Sequence, residues 1–327
     1  MRKTRKSKLK GQKQILLVGL FVFITLMTIG YAAFNTNITL HVKGNIKTKP
    51  VDIGGVKVTP VTEGDGLYED EYEEGRYVYR GANPNNYIEF NNELWRIISK
   101  ETDGTYKILR NETLPSRKFD SAGARTTGYC SQGSAPNYGC NAWSSTANMV
   151  GSPSEFTNGT YTGIVDADSE MLTYLNGEYL ESITVNKEKI VDHDYNIGAV
   201  KSSSSNVDLA TQIEGEKAYK WNGNVGLISE SDYINANSDM ETCGTASTNN
   251  SAYTTCRNTN WMYISGTYWW TLSPDADYSR TVWAVRYDGY LSNNYAYIFR
   301  GVRPAVYLTS NLSLSGSGIE SDPFIIG

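Results

Sequence analysis

The sequence predicts a mixed α+β domain, mostly strand, standing outside a membrane behind an N-terminal transmembrane helix. Three observations carry this. Short alternating apolar runs recur between Asn, Asp and Gly turn signals, as half-buried strands do. One stretch, residues 169–180, repeats its apolar residues at helical spacing. The chain opens with a block of bases followed by 20 uncharged residues.

The opening block sets the orientation. Arg2, Lys3, Arg5, Lys6, Lys8, Lys10 and Lys13 precede residues 15–34, which carry no charge. A helix of that length spans roughly 30 Å, the thickness of a bilayer's hydrocarbon. The bases hold residues 1–14 in the cytoplasm and place everything after residue 34 outside. A cleaved signal has an apolar core of only about 7–15 residues. The expectation is therefore an uncleaved anchor and a single-pass protein of the cell membrane. Cleavage after Gly30-Tyr31-Ala32, with secretion, is the alternative. Without those seven bases the chain keeps 23 Lys and Arg against 35 acids, a net charge near −12. Phosphate binding needs clustered bases, so this balance argues against nucleic acid as a partner.

Four cysteines fall into two local pairs, Cys130 with Cys140 and Cys243 with Cys256. Outside the cytoplasm such pairs oxidise, and each loop would contribute roughly 3 kcal/mol. Zinc is disfavoured, because ligand pairs sit about two to four residues apart and only His41 and His193 are available. No metal or other cofactor is expected.

Residues 35–62 read as strand and linker. Ile38, Leu40, Val42 and Ile46 alternate with polar neighbours, and Pro50, Gly54, Gly55 and Pro60 punctuate a stalk. The domain proper is expected over 63–327, opening on an acidic stretch. A meander is predicted over 87–90, 94–98 and 106–109, turning at Asn91-Asn92 and Asp103-Gly104. Residues 120–165 form a polar loop region holding the first cysteine pair. In the helix at 169–180, Met171, Leu172, Leu175 and Tyr179 share a face, with Asp166 or Asp168 as the cap. A short helix or strand follows at 186–192, a buried strand at 225–228 and a short capped helix at 229–236. Residues 253–307, about a sixth of the chain, hold nine of its 24 tyrosines and four of its seven tryptophans, so the rings concentrate here. Strands are predicted at 268–272, 281–287, 290–292 and 302–308, with a hairpin turn at Asp288-Gly289 and a closing pair, Ile325-Ile326.

The segment Trp269-Trp270-Thr271-Leu272-Ser273-Pro274, followed by Val285, Asp288-Gly289 and Gly301-Val302-Arg303-Pro304-Ala305-Val306, resembles a large bacterial family of unknown function with a C-type-lectin-like fold. That family is related to the variable proteins of diversity-generating retroelements. Phe90 to Trp95 with Ile97-Ile98, Leu172-Thr173-Tyr174-Leu175-Asn176, and Gly226-Leu227-Ile228-Ser229 are similar to further family elements. The resemblance covers roughly residues 75–310. It implies antiparallel sheets with one or two helices and long loops. Two departures stand out: Trp-Trp-Thr-Leu-Ser-Pro replaces the family's Trp-Trp-Leu-Arg-Ser-Pro, and of the Asn-rich stretch only Asn293 and Asn294 remain. The departures put the nature of the binding surface in question. The fold is also similar to that of formylglycine-generating enzymes, which use active-site cysteines; here the cysteines read as loop staples. The Glu-Pro-Asn, Gln-Pro-Asp and Trp-Asn-Asp motifs of calcium-dependent lectins are missing from the sequence.

The candidate ligand-binding residues lie on the last hairpin: Arg286, Tyr287, Tyr290, Asn293, Asn294, Tyr295, Tyr297 and Phe299. Strand alternation sends Val285 and Leu291 inward, while the other face and the following loop show Arg286, Tyr290, Asn294, Tyr295, Tyr297 and Phe299. Tyr, Asn and Arg give large contact area at low rotamer cost, as antibody-like surfaces do. Trp269, Trp270 and Trp283 read as core, and Arg303 as a structural hydrogen-bonding residue. No spacing among Asp166, Asp168, Glu170, Asp192 and Asp194 singles out an acid/base pair, and His193 reads as a loop histidine. No catalytic residue is assigned. The expected function is a surface-displayed protein that binds an extracellular protein or glycan. The alternatives are an extracellular enzyme with a site elsewhere in the domain, or a structural envelope component assembling through 35–62. Residues 278–303 are the segment that diversification would target.

Overall fold

The structure is a computed structural model and describes residues 49–145, 149–151, 161–163, 167–201, 207–245 and 250–327. The expected anchor at 15–34, the strand at 35–47 and the candidate cap Asp166 lie outside the described residues. Among the described residues no helix is long and apolar enough to cross a membrane.

The architecture is mixed α+β and mostly β, with curled sheets. The larger sheet has ten strands. Its spine runs Ile190–Val191, Ala305–Leu308, Tyr106–Arg110, Glu93–Lys100, Tyr87–Phe90, Phe324–Ile326 and Leu314–Ser315. Val225–Gly226 joins Ala305–Leu308, and Tyr77–Arg80 joins Glu93–Lys100 with Gly66–Glu69 outside it. The expected meander is its centre. Tyr87 pairs Arg96, and Ile97 pairs Ile108, both antiparallel. The first turn uses Asn91 and Asn92 at φ 54° and 58°, left-handed positions that Asn tolerates. The closing strand Phe324–Ile326 lies parallel to Tyr87–Phe90.

The smaller sheet has five strands, in the order Leu291–Tyr295, Thr281–Val285, Trp269–Pro274, Arg300–Val302 and Leu114–Arg117. The predicted hairpin is present, with Val285 opposite Leu291 and both fully buried. Its turn holds Gly289 at φ 88°.

Two apolar clusters fill the domain, one containing Trp270, Ile97, Ile108 and Val306, the other Trp269, Ile98, Leu109 and Ala305. Strand alternation explains the split. Consecutive residues point to opposite faces, and these strands are buried on both. The Trp-Trp pair therefore serves both clusters at once. Burial of a ring this size removes roughly 150–250 Å² from water.

The strand predicted at 302–308 is broken at Arg303-Pro304. Arg300–Val302 belongs to the small sheet and Ala305–Leu308 to the large one. Pro304 offers no N–H, but its carbonyl accepts from Arg110 N at 3.0 Å. Gly301 is required by close approach: a Cβ there would lie 3.0 Å from Thr113 Cγ2 and 3.1 Å from Tyr268 O. Arg303 sits at the joint, 1% exposed. It donates to Arg110 O at 3.0 Å and Met262 O at 2.7 Å, and lies over the Trp269 ring. Burial, with Arg96 nearby, pushes its guanidinium down to about 9.

Helices decorate the sheets. The helix at 169–180 begins at Glu170–Tyr174 and passes into a wider turn, Leu175–Tyr179. Its cap is Ser169, which accepts from Leu172 N at 3.1 Å. Asp168, one of the expected caps, instead accepts from Ser145 N at 2.7 Å. Asn176 bonds Val225 through both ends of its amide, tying the helix to the sheet. The helix Glu230–Asn235 carries a capping box of Ser229 and Asp232.

Residues 49–62 differ from the expected linker. Val51–Ile53 and Val56–Val58 form a hairpin turning at Gly54-Gly55. Ile53 is fully buried, Gly54 N donates to Tyr106 Oη at 2.8 Å, and Gly54 O accepts from Leu314 N at 2.7 Å. The glycines read as linker punctuation are a hairpin turn packed on the body.

Arg303→Ala is expected to lower stability by about 3 kcal/mol or more, through a cavity beneath Trp269 and two carbonyls left without donors. Denaturant titration of native and variant protein checks this; coincident midpoints would contradict it.

Candidate ligand-binding surface

The last hairpin puts Leu291–Tyr295 at the edge of the five-stranded sheet. An exposed edge invites another strand, and here one outward backbone group of each of three residues is occupied. Leu291 N donates to Asn250 Oδ1 at 2.9 Å, Asn293 O accepts from Asn294 Nδ2 at 2.8 Å, and Tyr295 O accepts from Ile298 N at 3.0 Å.

The eight candidate residues do not form one patch. They divide between the two ends of this strand. At the turn end, Arg286 holds Asp288 at 3.1 Å and lies over Tyr287 and Tyr290, while Tyr290 meets Tyr253 edge-on at 5.9 Å. At the other end, Tyr295 stacks on Tyr138 at 4.5 Å and Tyr297 packs beside both. Tyr287, Tyr295 and Phe299 are exposed at 50%, 37% and 59%. Arg286, Tyr290, Asn293, Asn294 and Tyr297 are half-buried.

The amides expected to face a ligand are engaged internally. Asn293 donates to the Asp275 carboxylate, and Asn294 to the Tyr268 hydroxyl. The Asn294 oxygen accepts from Arg300 at 2.8 Å. Half-buried on a packed edge, their nearest partners are protein groups rather than solvent. What remains outward is rings and charges.

Each end of the strand borrows a tyrosine from a disulfide loop. The bonds are Cys130–Cys140 and Cys243–Cys256, as the spacing predicts. Tyr138 ends the short helix Ala135–Tyr138, two residues before Cys140; Tyr253 begins Tyr253–Cys256. Gly139, at φ 78°, lets the first loop press close, since a Cβ there would lie 2.4 Å from Asp120 O. Tyr297 N then donates to Tyr138 O at 3.0 Å. Sequence reasoning missed Tyr138, Arg280 and Lys118. The position of Tyr138 beside a cysteine was the one available signal, and it does not say which strand the loop meets.

Trp269, Trp270 and Trp283 are core, as expected. His193 stacks on Tyr307 at 3.7 Å and faces Asp103 at 3.3 Å, on a strand rather than a loop. Beside it lies a groove of about 510 Å³ lined by Asp103, Asp192, Asp194 and Lys220. Among the described residues no group of three or more His, Cys, Asp or Glu is placed to hold a metal.

Residues 150–310 match a domain of unknown function, DUF6273. No curated protein and no solved structure matches the chain. The DUF6273 stretch covers the Trp-Trp pair, the hairpin, the Arg303 joint and the second disulfide. It excludes the first disulfide loop, so Tyr138 reaches the DUF6273 hairpin from outside the matched region.

A pair of buried carboxyls was not legible in the sequence. Glu216 and Glu230 are both fully buried. Glu216 accepts from Ser231 N at 3.2 Å and Ser273 Oγ at 3.1 Å, and also from the Ser231 hydroxyl. Neither Glu230 oxygen has a hydrogen-bond partner among the described residues. Burial pushes Glu216 up to about 7. Burial raises Glu230 well above its ordinary value near 4.5, and the neighbouring carboxylates Glu216 and Asp275 raise it further. A folded-state pKa above the unfolded one means that the native state holds the proton more tightly. The contribution of Glu216 is complete below about pH 4.5 and is lost as pH rises through about 7, and that of Glu230 is likewise lost as pH rises. Glu230→Gln, which cannot ionise, is expected to raise the melting temperature at pH 8 and to change it little at pH 4. Scanning calorimetry at both pH values checks this; an equal shift at each would assign the effect to packing instead.

Proposed function

We propose that this chain is a surface-displayed ligand-binding protein with a C-type-lectin-like domain, anchored by residues 15–34, that binds an extracellular protein or glycan. The binding surface is the aromatic end of the last hairpin: Tyr295, Tyr297 and Phe299 with Tyr138. One observation carries the reading most. Tyr295 and Phe299 remain exposed on a strand end that is otherwise locked, with Tyr295 stacked on a ring from a disulfide-closed loop. Large rings held in place lose little freedom on binding, which favours recognition over generic stickiness. The β-rich architecture is compatible with a lectin-like fold, and two disulfides suit an oxidising compartment outside the cytoplasm.

The turn end, with Arg286, Tyr287 and Tyr290, is a smaller contributor in this reading. Arg286 is tied to Asp288 and Tyr290 packs on Tyr253.

The test is a glycan and protein array probed with the full chain. Tyr295→Ala with Tyr297→Ala is expected to weaken binding to an array hit by about tenfold or more, since central aromatic anchors are each worth around 1–2 kcal/mol or more. Circular dichroism confirms that the variant folds. Unchanged affinity in a folded variant would reject this surface.

A further inference from the structure

We propose that the aromatic end of the hairpin takes an anionic polysaccharide, its acidic groups held by Lys118 and Arg300 while sugar rings lie against Phe299 and Tyr297. This rests on the binding-surface reading above and adds the ligand's chemistry.

The observation is a gathering of bases. Arg117 and Arg300 are register partners across adjacent strands. Lys118 Nζ lies 5.4 Å from the Phe299 ring, and the Arg280 guanidinium 5.6 Å from Tyr295. Only Arg117 of the first pair has a carboxylate nearby, Glu178 at 3.6 Å, and both side chains are exposed. Lys118 donates to Ser121 Oγ at 3.4 Å, and Arg300 to Asn294 and to the Phe299 carbonyl. Neither has an ion-pair partner among the described residues. Beyond its first 33 residues this chain carries 35 acids against 23 bases, so Lys118 and Arg300, each without an ion pair among the described residues, run against the background even with Glu178 and Glu170 nearby. Such a pair of cations draws anions.

The geometry favours a polysaccharide over an acidic peptide. A peptide binding a sheet edge adds as a strand, and one of the two outward groups on each of Leu291, Asn293 and Tyr295 is already engaged, which leaves that ladder incomplete. The asparagine amides that would read a peptide backbone are already held by Asp275 and Tyr268. Ring faces and separate cations are what remain. Sugars match these, with flat apolar faces and carboxylates or phosphates repeated along the polymer.

The experiment uses the full chain in detergent micelles and three immobilised probes: polygalacturonate, neutral dextran and poly-glutamate. The basic N-terminal tail contributes equally to every variant, so differences between variants report the patch. Native protein is expected to bind polygalacturonate more tightly than either other probe. Lys118→Glu should weaken it by about tenfold, with the gap shrinking as salt rises, and Lys118→Arg should retain it. Equal affinity of native and Lys118→Glu protein for polygalacturonate overturns the proposal. So does tighter binding to poly-glutamate, which would assign the surface to an acidic peptide. Phe299→Ala separates the two readings. If it abolishes binding to dextran while Lys118→Glu has no effect, the surface stands and its preference for anions fails.

Discussion

The domain depends on a chain segment that belongs to two sheets. Between Val302 and Ala305 the backbone leaves the five-stranded sheet and enters the ten-stranded one. At the crossing stand Gly301, closely approached by Thr113 and Tyr268, Pro304, which has no donor, and a buried guanidinium between them. Arg303 supplies hydrogen bonds to carbonyls from two separate regions, Arg110 and Met262. A buried cation without a carboxylate is costly, and its donors make the cost tolerable only because every neighbour is fixed. The Trp269 ring beneath it links the same joint to the second core cluster.

The candidate surface inherits its rigidity from this frame. The hairpin is anchored inward by Val285, Leu291 and Trp283, all buried. Outside, two covalent loops bring one tyrosine each to the strand's ends. The first loop packs a small cluster of its own around Tyr129 and Cys130. The disulfides restrict both loops, and the hydrogen bond from Tyr297 N to Tyr138 O completes the contact. Recognition surfaces gain from such preorganisation because less freedom is lost on binding.

Much of the fold was legible. The meander at 87–110 shows alternation, a left-handed Asn pair and Gly104, and each is a local signal with a local cause. Ser229 and Asp232 announced a capped helix in the same way. The misses have physical reasons. The helix Leu209–Lys217, capped by Asp208, buries Leu209, Gln212 and Glu216, so no apolar stripe marks it. The hairpin at 51–58 was hidden because Gly54-Gly55 serves a linker or a turn equally well, and only burial of Ile53 decides between them. Ser169 outcompeted Asp168 as a cap by a single position.

The sequence by itself determined which residues are core tryptophans, where the last hairpin turns and which cysteines lie close enough to pair. All of these follow from spacing along the chain, where neighbours are fixed by covalent geometry. The tertiary structure decided that the eight candidate residues divide between two ends, that Asn293 and Asn294 are held by Asp275 and Tyr268, that Tyr138 and Arg280 join Tyr295, and that Lys118 joins Phe299. It also decided which carboxyls, Glu216 and Glu230, are shut away from water. Those outcomes depend on contacts between separate segments, from 18 residues apart for Asn293 with Asp275 to more than a hundred for Tyr138 with Tyr295. Periodicity tells a side chain which face of its own strand to take, and only packing tells it what stands opposite.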